Sequence, residues 1–290
     1  MKARAFVPGH ITGFFEVCEG SDALHTGSRG CGVVVSKGVY TTVKAKKASK
    51  NEVHVYINGK PCDCPVTTAA IEEILKLAEE KYRVEVFHKL ELPMKYGFGL
   101  SAAGSLGAVL AVAKALGLNL TLNDCGSIAH CAEVANKTGL GDVIAECTGG
   151  VVLRKKPGAP GIGRVDKIPC NESVVAFILG GELETKSVLL SGQKKRRIAA
   201  ACRGCMDTFL KNPSVENFMR LSKKFASKAG LMDKKVYSAV KELEKKNIEA
   251  SMIMLGNSIF TLTKEPEKVC KLLDFEHVVM EIDNAGARIL

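Results

Sequence analysis

Pro93-Met94-Lys95-Tyr96-Gly97-Phe98-Gly99-Leu100-Ser101-Ala102-Ala103 decides how this chain is read. Before it, Val84, Val86, His88, Leu90 and Leu92 alternate on one side, as a strand does, and Pro93 ends the run. After it, Ala103, Leu106, Leu110 and Ala113 recur at intervals of three and four, which predicts a helix from Ser101 to Leu116. Between them, Gly97 and Gly99 flank a single residue. Glycine lets backbone N–H groups approach a polyphosphate with no Cβ in the way. The helix N-terminus adds roughly half a positive charge aimed at it. Ser101, in the first turn, can reach a phosphate-bound cation. A simple glycine turn with Ser101 capping its helix fits the same letters, so spacing alone leaves both readings open.

Outward from this loop the chain alternates strand and helix signals. Upstream, Gly32 to Val35 and Val39 to Val43 are β-branched runs with Lys37-Gly38 as turn chemistry between them. Val53 to Ile57 alternates, and Asn58-Gly59 is a hairpin turn signal. Ile71, Ile74, Leu75 and Ala78 place a helix over Ala69 to Lys81. Downstream, Thr121 to Asp124 matches a capping box opening a helix to about Asn136. A second glycine-rich turn, Thr138 to Gly141, precedes Asp142, and Val151 to Leu153 reads as a strand. Lys155 to Gly163 is a Pro/Gly-rich loop and the expected domain boundary. Beyond it come a strand at Val174 to Leu179 and helices at Arg197 to Leu210, Val215 to Leu231 and Lys234 to Lys246. Ser251 to Thr263 reads as strand-turn-helix, broken at Gly256-Asn257, and His277 to Ile282 as the last strand. The mixture predicts an α+β fold.

Composition narrows the function classes. The chain has 290 residues, 46% hydrophobic and 25% charged, an ordinary globular balance. The net charge of +10 favours anionic partners such as nucleotides and acidic metabolites. Aromatics are 6% with no Trp, which argues against a nucleic-acid surface, and Lys194 to Arg197 reads as a solvated helix start. Met1 to His10 has no apolar core of a signal peptide, and no stretch approaches about 18 uninterrupted apolar residues, so no membrane span is expected. The 11 cysteines, an odd number, point to free thiols in a reducing cytoplasm. Cys62-Asp63-Cys64 and Cys202 to Cys205 lack the matched spacing of a zinc site and are read as structural thiols.

The opening stretch resembles the P-x-x-x-G-L-G-S-S-A-A phosphate loop of the GHMP kinases, the superfamily of galactokinase and the homoserine, mevalonate and phosphomevalonate kinases. Leu100 holds the first position of the family's Ser-Ser pair, and Ser101 holds the second. The resemblance makes Pro93, Gly97, Gly99, Leu100, Ser101, Ala102 and Ala103 the ATP-binding loop. It assigns Ser101 and Glu133 to Mg²⁺. Gly139-Leu140-Gly141-Asp142, with Gly149-Gly150 behind it, is similar to the family's G-x-D segment, which makes Asp142 the catalytic carboxylate. Without the resemblance, the residues favour the plainer readings, Asp142 as a helix N-cap and Glu133 as a solvated helix face. Phe6-Val7-Pro8-Gly9-His10 resembles the family's first motif, with His10 where mevalonate kinases carry Lys. His10, Arg29 or Lys186 could supply the missing positive charge.

The fold implied is the two-lobed GHMP fold: a ribosomal protein S5-like ATP-binding lobe over residues 1–155 and a ferredoxin-like lobe over 156–290. The second lobe would supply Lys186 and the Gly256 turn. Pro8 to Phe15, followed by Thr26-Gly27-Ser28-Arg29-Gly30, looks like the archaeal pantoate kinases, which phosphorylate the primary hydroxyl of pantoate on the route to coenzyme A. That likeness makes Ser28, Arg29, Thr185 and Lys186 acceptor-site residues, with Arg29 gripping the substrate carboxylate. The C-terminal Ala250 to Phe260 stands at the third motif, where Met252 and Met254 are read as packing. The expected cofactors are ATP and Mg²⁺, and a homodimer is the default with no residue behind it. Mevalonate or homoserine as acceptor, or a non-catalytic nucleotide sensor, are the alternatives.

Overall fold

The computed structural model describes residues 1–180, 192–254 and 256–290. Its first sheet is built on two long strands, β1 (Lys2–Cys18) and β2 (Gly27–Lys47), paired antiparallel along their length. Lys37-Gly38 is not the turn its composition suggests. Gly38 pairs with Pro8 and Val35 with Gly9, so Ser36 and Lys37 form a bulge inside one continuous strand. A bulge kinks a strand and increases its twist. Here it lets β2 serve two partners: Val39 to Lys47 pairs with β5 (Tyr82–Leu90), and Gly30 to Val33 with β6 (Val151–Lys156).

On the β5 side, β3 (Glu52–Ile57) runs parallel to β5, and β4 (Lys60–Pro61) folds back on β3 through Asn58 and Gly59. Both turn residues have positive φ, 49° and 82°, as a two-residue hairpin turn requires. Helix α1 (Pro65–Leu75) then begins earlier and ends sooner than its apolar spacing suggests. Pro65 presets the first helical φ, and the chain must leave the helix in time to enter β5, where Asn51 Oδ1 accepts from the Tyr82 N–H at 2.9 Å.

Helix α2 (Leu100–Leu116) lies across this sheet and is buried from Ala102 to Ala113, which is why it lacks a polar stripe. α3 (Leu122–Asn136) opens with the predicted Thr121–Asp124 capping box, and α4 (Asp142–Thr148) follows the second glycine-rich turn.

The Pro/Gly-rich loop after residue 155 is not a boundary between sheets. It connects β6 to β7 (Arg164–Ile168), its antiparallel neighbour in the same sheet. The chain end also returns, as β12 (Arg288–Ile289), to pair with Ala5 and Phe6. Proline and glycine mark any sharp connection, so composition could not tell a hairpin from a linker.

The second sheet has the order β11-β8-β10-β9, all antiparallel: β8 (Ser173–Ile178), β9 (Ser251–Met252), β10 (Ser258–Thr263) and β11 (Glu276–Glu281). Ser251 to Thr263 is thus strand-turn-strand rather than strand-turn-helix, and β10, with β-branched Ile259, Thr261 and Thr263, is an inner strand. Helices α5 (Gly192–Lys211), α6 (Val215–Ala229), α7 (Lys234–Glu244) and the short α8 (Pro266–Cys270) complete the second half. An aromatic cluster joins the halves. Phe14 of β1 meets Phe209 edge-on at 5.8 Å, and Phe218 meets Phe260 at 6.0 Å. It anchors the strand that carries His10. No helix among the described residues is long and apolar enough to cross a membrane.

Candidate active site

A cavity of about 580 Å³ opens where the β5–α2 loop, the start of α4 and strand β6 converge. Gly97, Gly99, Leu100, Ser101 and Ala102 line it, whereas Pro93 and Ala103 do not. Gly99 is the N-cap of α2 with φ 70°, and no side chain caps the helix, so Ser101 is not its cap. The N–H groups of the first turn therefore lack intrahelical partners at the cavity wall, an arrangement that suits an anion. A Cβ on Gly99 would lie 2.7 Å from Glu146 Oε1. Two other segments brace the loop. The His10 N–H donates to the Phe98 carbonyl at 3.0 Å, and Gly97 sits so close to Ile253 and Met254 that a Cβ would clash at 2.7 Å. Met252 and Met254 are buried, as expected of packing residues, although Met254 also reaches the cavity wall.

Ser101 Oγ donates to Glu133 Oε1 at 2.5 Å. Glu133 is only 2% exposed, so it is no solvated helix face. Burial pushes its carboxyl up to about 7, against the opposing pull of the Ser101 hydrogen bond, and the Asp142 charge adds to the rise. Glu146, one turn beyond Asp142 on α4, is fully buried with neither carboxyl oxygen hydrogen-bonded, and burial holds it well above the ordinary range.

Asp142 is the first residue of α4, behind an N-cap at Gly141, and its side chain turns to His10 instead of capping. Its Oδ1 lies 2.7 Å from His10 Nδ1. On the other ring nitrogen, Arg154 Nη1 approaches His10 Nε2 at 3.3 Å. Guanidinium can only donate, so Nε2 accepts and the ring proton sits on Nδ1, donated to Asp142. His10 has no exposed surface, and burial lowers its pKa, which agrees with a neutral ring. Gly32 makes the space: a Cβ there would fall 2.1 Å from His10 Nε2. Burial would raise Asp142, but the His10 hydrogen bond and the nearby Arg154 charge outweigh it and hold the carboxyl below its usual range.

Arg154 was not legible as a site residue. It extends the apolar run Val151-Val152-Leu153 and is 1% exposed, with Nε lacking any hydrogen-bond partner. Its one sequence signal is a guanidinium continuing an apolar strand. Ser28 lines the cavity beside it, 5% exposed. Arg29 lies elsewhere: its Nη1 donates to Glu16 at 3.2 Å and its Nε to the Lys155 carbonyl at 3.1 Å, off the cavity wall. The next residue along an extended strand points to the opposite face, which separates Arg29 from Ser28. Thr185 and Lys186 lie outside the described residues. Among the described residues no three His, Cys, Asp or Glu side chains form a metal cluster.

Comparison with known proteins joins this geometry to a family. Residues 66–150 match the GHMP kinases N terminal domain. The pantoate kinase of Thermococcus kodakarensis is 38% identical over 281 residues, 94% of this chain and 92% of its own. That of Methanocaldococcus jannaschii is 36% identical over 90% of this chain and 92% of its own. The chain belongs to the pantoate kinase family of GHMP kinases. A solved phosphotransferase related to the CoA biosynthesis pathway superposes on all of this kinase, and on 99% of that chain, with TM-score 0.91 at 34% identity. The segment matching the GHMP domain holds the phosphate loop, Glu133 and Asp142. His10, Ser28 and Arg154 of the kinase lie outside it.

Glu133 makes a stability prediction for the ligand-free kinase. A carboxyl at about 7 when folded and near 4.5 when unfolded binds more proton in the native state between those values. Its contribution is thus fully present below pH 4.5 and is lost as pH rises through about 7. Glu133→Gln removes the dependence. The melting midpoint of the variant, relative to wild type, should climb between pH 5 and 8, by the equivalent of about 3 kcal/mol at most. A difference that stays flat with pH would show that Glu133 ionises normally.

Proposed function

We propose that the kinase transfers the γ-phosphoryl group of MgATP to the primary hydroxyl of pantoate, giving 4-phosphopantoate and ADP. The observation that carries this reading is the chain Arg154–His10–Asp142, whose two ends line the cavity together with an uncapped helix N-terminus. It offers a guanidinium for a carboxylate and a carboxylate for a hydroxyl within one site, as a small hydroxy acid requires.

The backbone N–H groups from Gly99 to Ala102 bind the phosphates. Ser101 and Glu133 present a hydroxyl and a carboxylate 2.5 Å apart, hard oxygen donors that suit Mg²⁺, which usually takes one or two protein ligands and completes its shell with phosphates and water. When bound, the ion neutralises charge gathering on the transferred group. Asp142 accepts a hydrogen bond from the acceptor hydroxyl and orients it for in-line transfer, taking its proton as the bond forms. His10 positions that carboxylate by donating from Nδ1 and is held in the required tautomer by Arg154. The cation serving motif one is Arg154, 144 residues further along the chain, acting through His10. Arg154 Nε and the Ser28 hydroxyl receive the acceptor carboxylate, the role expected of Arg29. Thr185 and Lys186 remain part of the proposed acceptor site. The lobes are best divided after Ile168, with the β12 strand returned to the first. Eleven free cysteines support a cytoplasmic setting.

ADP release with MgATP is measured separately with pantoate, mevalonate, homoserine and pantothenate. Turnover with pantoate alone is expected. Turnover with mevalonate or homoserine instead would keep the transfer chemistry and discard the acceptor. Nucleotide binding without turnover on any of them would make the chain a sensor.

A further inference from the structure

His88 interrupts the apolar face of β5, between the buried Val86 and the partly buried Leu90. Its ring is the middle of a polar chain through the core. Nδ1 lies 2.9 Å from Thr41 Oγ1 on β2, and Nε2 lies 3.5 Å from Thr67 Oγ1 in the first turn of α1. Thr41, His88 and Thr67 are each 4% exposed or less. Burial pushes the His88 pKa down to about 4, so the ring is neutral, with one N–H and one lone pair to share. The link to Thr67 is longer than an ordinary hydrogen bond, which leaves that hydroxyl free to take another partner. Thr41 has no exposed surface, whereas His88 and Thr67 both line the cavity.

Two glycines of α2 face this chain, for different reasons. A Cβ on Gly107 would fall 2.6 Å from Thr41 Oγ1, so that glycine makes room for packing. A Cβ on Gly104 would meet His88 Cε1 at 3.6 Å and Thr67 Oγ1 at 3.8 Å, which are ordinary contacts. Its φ is not positive either. Neither neighbours nor backbone demand glycine at 104, and glycine in a helix interior is less stable than alanine. What the missing side chain leaves open is cavity, because Gly104 lines it beside Thr67 and His88. Around this opening the wall is apolar: Ile57, which pairs with His88 across β3 and β5, then Val66, Leu90 and Met94. The first turn of α1 adds donors to it. Pro65 has no N–H and the Thr68 N–H is taken by the Cys64 carbonyl at 2.9 Å, which leaves those of Val66 and Thr67 open.

We propose that the nucleobase of the bound nucleotide lies over Gly104, with its polar edge on the Thr67 hydroxyl and the N–H groups of Val66 and Thr67. The inference rests on reading Gly99 to Ala102 as the phosphate site. Gly104 lies about 7 Å further along the axis of α2 than the N-cap Gly99, about the reach from the phosphates of a nucleotide to its base. A base is apolar on its faces and polar at its edge, and an apolar wall with a few placed hydrogen-bonding groups is what such a molecule requires. His88 and Thr41 do not touch the base. They are positioning residues that hold the Thr67 hydroxyl from behind.

The test uses the full chain and two probes: MgATP, and magnesium tripolyphosphate, which keeps the phosphates and lacks the base. Dissociation constants come from calorimetry and melting midpoints from the ligand-free protein. Gly104→Ala should raise the midpoint by roughly 2 °C, because alanine is the better helix former. It should nevertheless weaken MgATP by about tenfold, because the new methyl occupies space the base requires, and leave tripolyphosphate unaffected. Thr67→Val, which removes only the hydroxyl, should also weaken MgATP by about tenfold and spare tripolyphosphate. Thr67→Ser, which restores the hydroxyl, should recover most of that loss. A merely structural role would move both probes together. MgATP affinity unchanged in either Gly104→Ala or Thr67→Val, or an equal loss for both probes, overturns the inference. Wild-type protein that binds neither probe overturns the phosphate-site reading itself.

Discussion

Asp142→Asn should lower kcat with pantoate by about 10²–10⁴-fold, the usual range for losing a general base, while KM for ATP stays near wild type. The substitution is nearly isosteric. Its amide oxygen can still accept from His10 Nδ1, which lies 2.7 Å from Oδ1 in the native chain. The side chain is 26% exposed, so the missing charge leaves no sealed ionic gap behind. What disappears is the anionic oxygen that the proposed mechanism offers to the acceptor hydroxyl. The pH profile adds a second test. Asp142 is held below the ordinary carboxylate range, so it is ionised throughout the neutral region and cannot produce an activity limb there. Glu133 can: in the free enzyme it ionises near 7, and the metal-binding role proposed for it requires the charged form. In wild type, kcat/KM for MgATP should therefore rise with pH through about that value. Steady-state ADP release from pH 5 to 9 measures both. An Asn variant that turns over at the wild-type rate would remove Asp142 from the chemistry.

These expectations depend on features with unequal traces in the sequence. The geometry of the Gly97–Gly99 loop was legible because its requirements are local. Gly97 and Gly99 do adopt positive φ, 84° and 70°, and the helix behind them follows from apolar spacing. The capping box at Thr121 and the Asn58-Gly59 turn were legible for the same reason: each motif supplies its own hydrogen bonds or dihedrals. Lys37-Gly38 failed because a bulge and a turn use the same residues, and only the pairing with Pro8 and Gly9 separates them. Asp142 and Glu133 could be placed as candidates, but their burial and partners come from packing between distant segments. His10 stands 132 residues from Asp142 and 144 from Arg154. No local pattern encodes that meeting. Arg29 shows the converse. An arginine beside a site motif is a fair candidate for an anion contact, yet Glu16 across the ladder from it already claims its charge.

Arg154 carries the second large effect. Its guanidinium is almost fully buried, shares one hydrogen bond with a neutral histidine, and keeps Nε unpaired. A buried charge with an orphaned donor is costly unless a partner arrives. An acceptor carboxylate seated there would answer both needs. Arg154→Met should then raise KM for pantoate by about 10²-fold, the effect of truncating one partner of a desolvated charge pair, and should lower kcat as well. The kcat loss follows from His10. Arg154 both accounts for the ring's tautomer and lowers its pKa, so without it His10 takes a proton more readily and pairs with Asp142 as a cation. A carboxylate held in that ion pair is a weaker acceptor for the substrate proton. Arg154→Lys separates the two roles. A point charge preserves the electrostatic effect on His10 but loses the planar fork, so KM should suffer more than kcat. The His10 ring signals in the NMR spectrum report the protonation change directly, rising in pKa in the Met variant and staying near wild type with Lys. If both variants fold and keep the wild-type KM for pantoate, the carboxylate is bound elsewhere and Arg154 serves His10 alone.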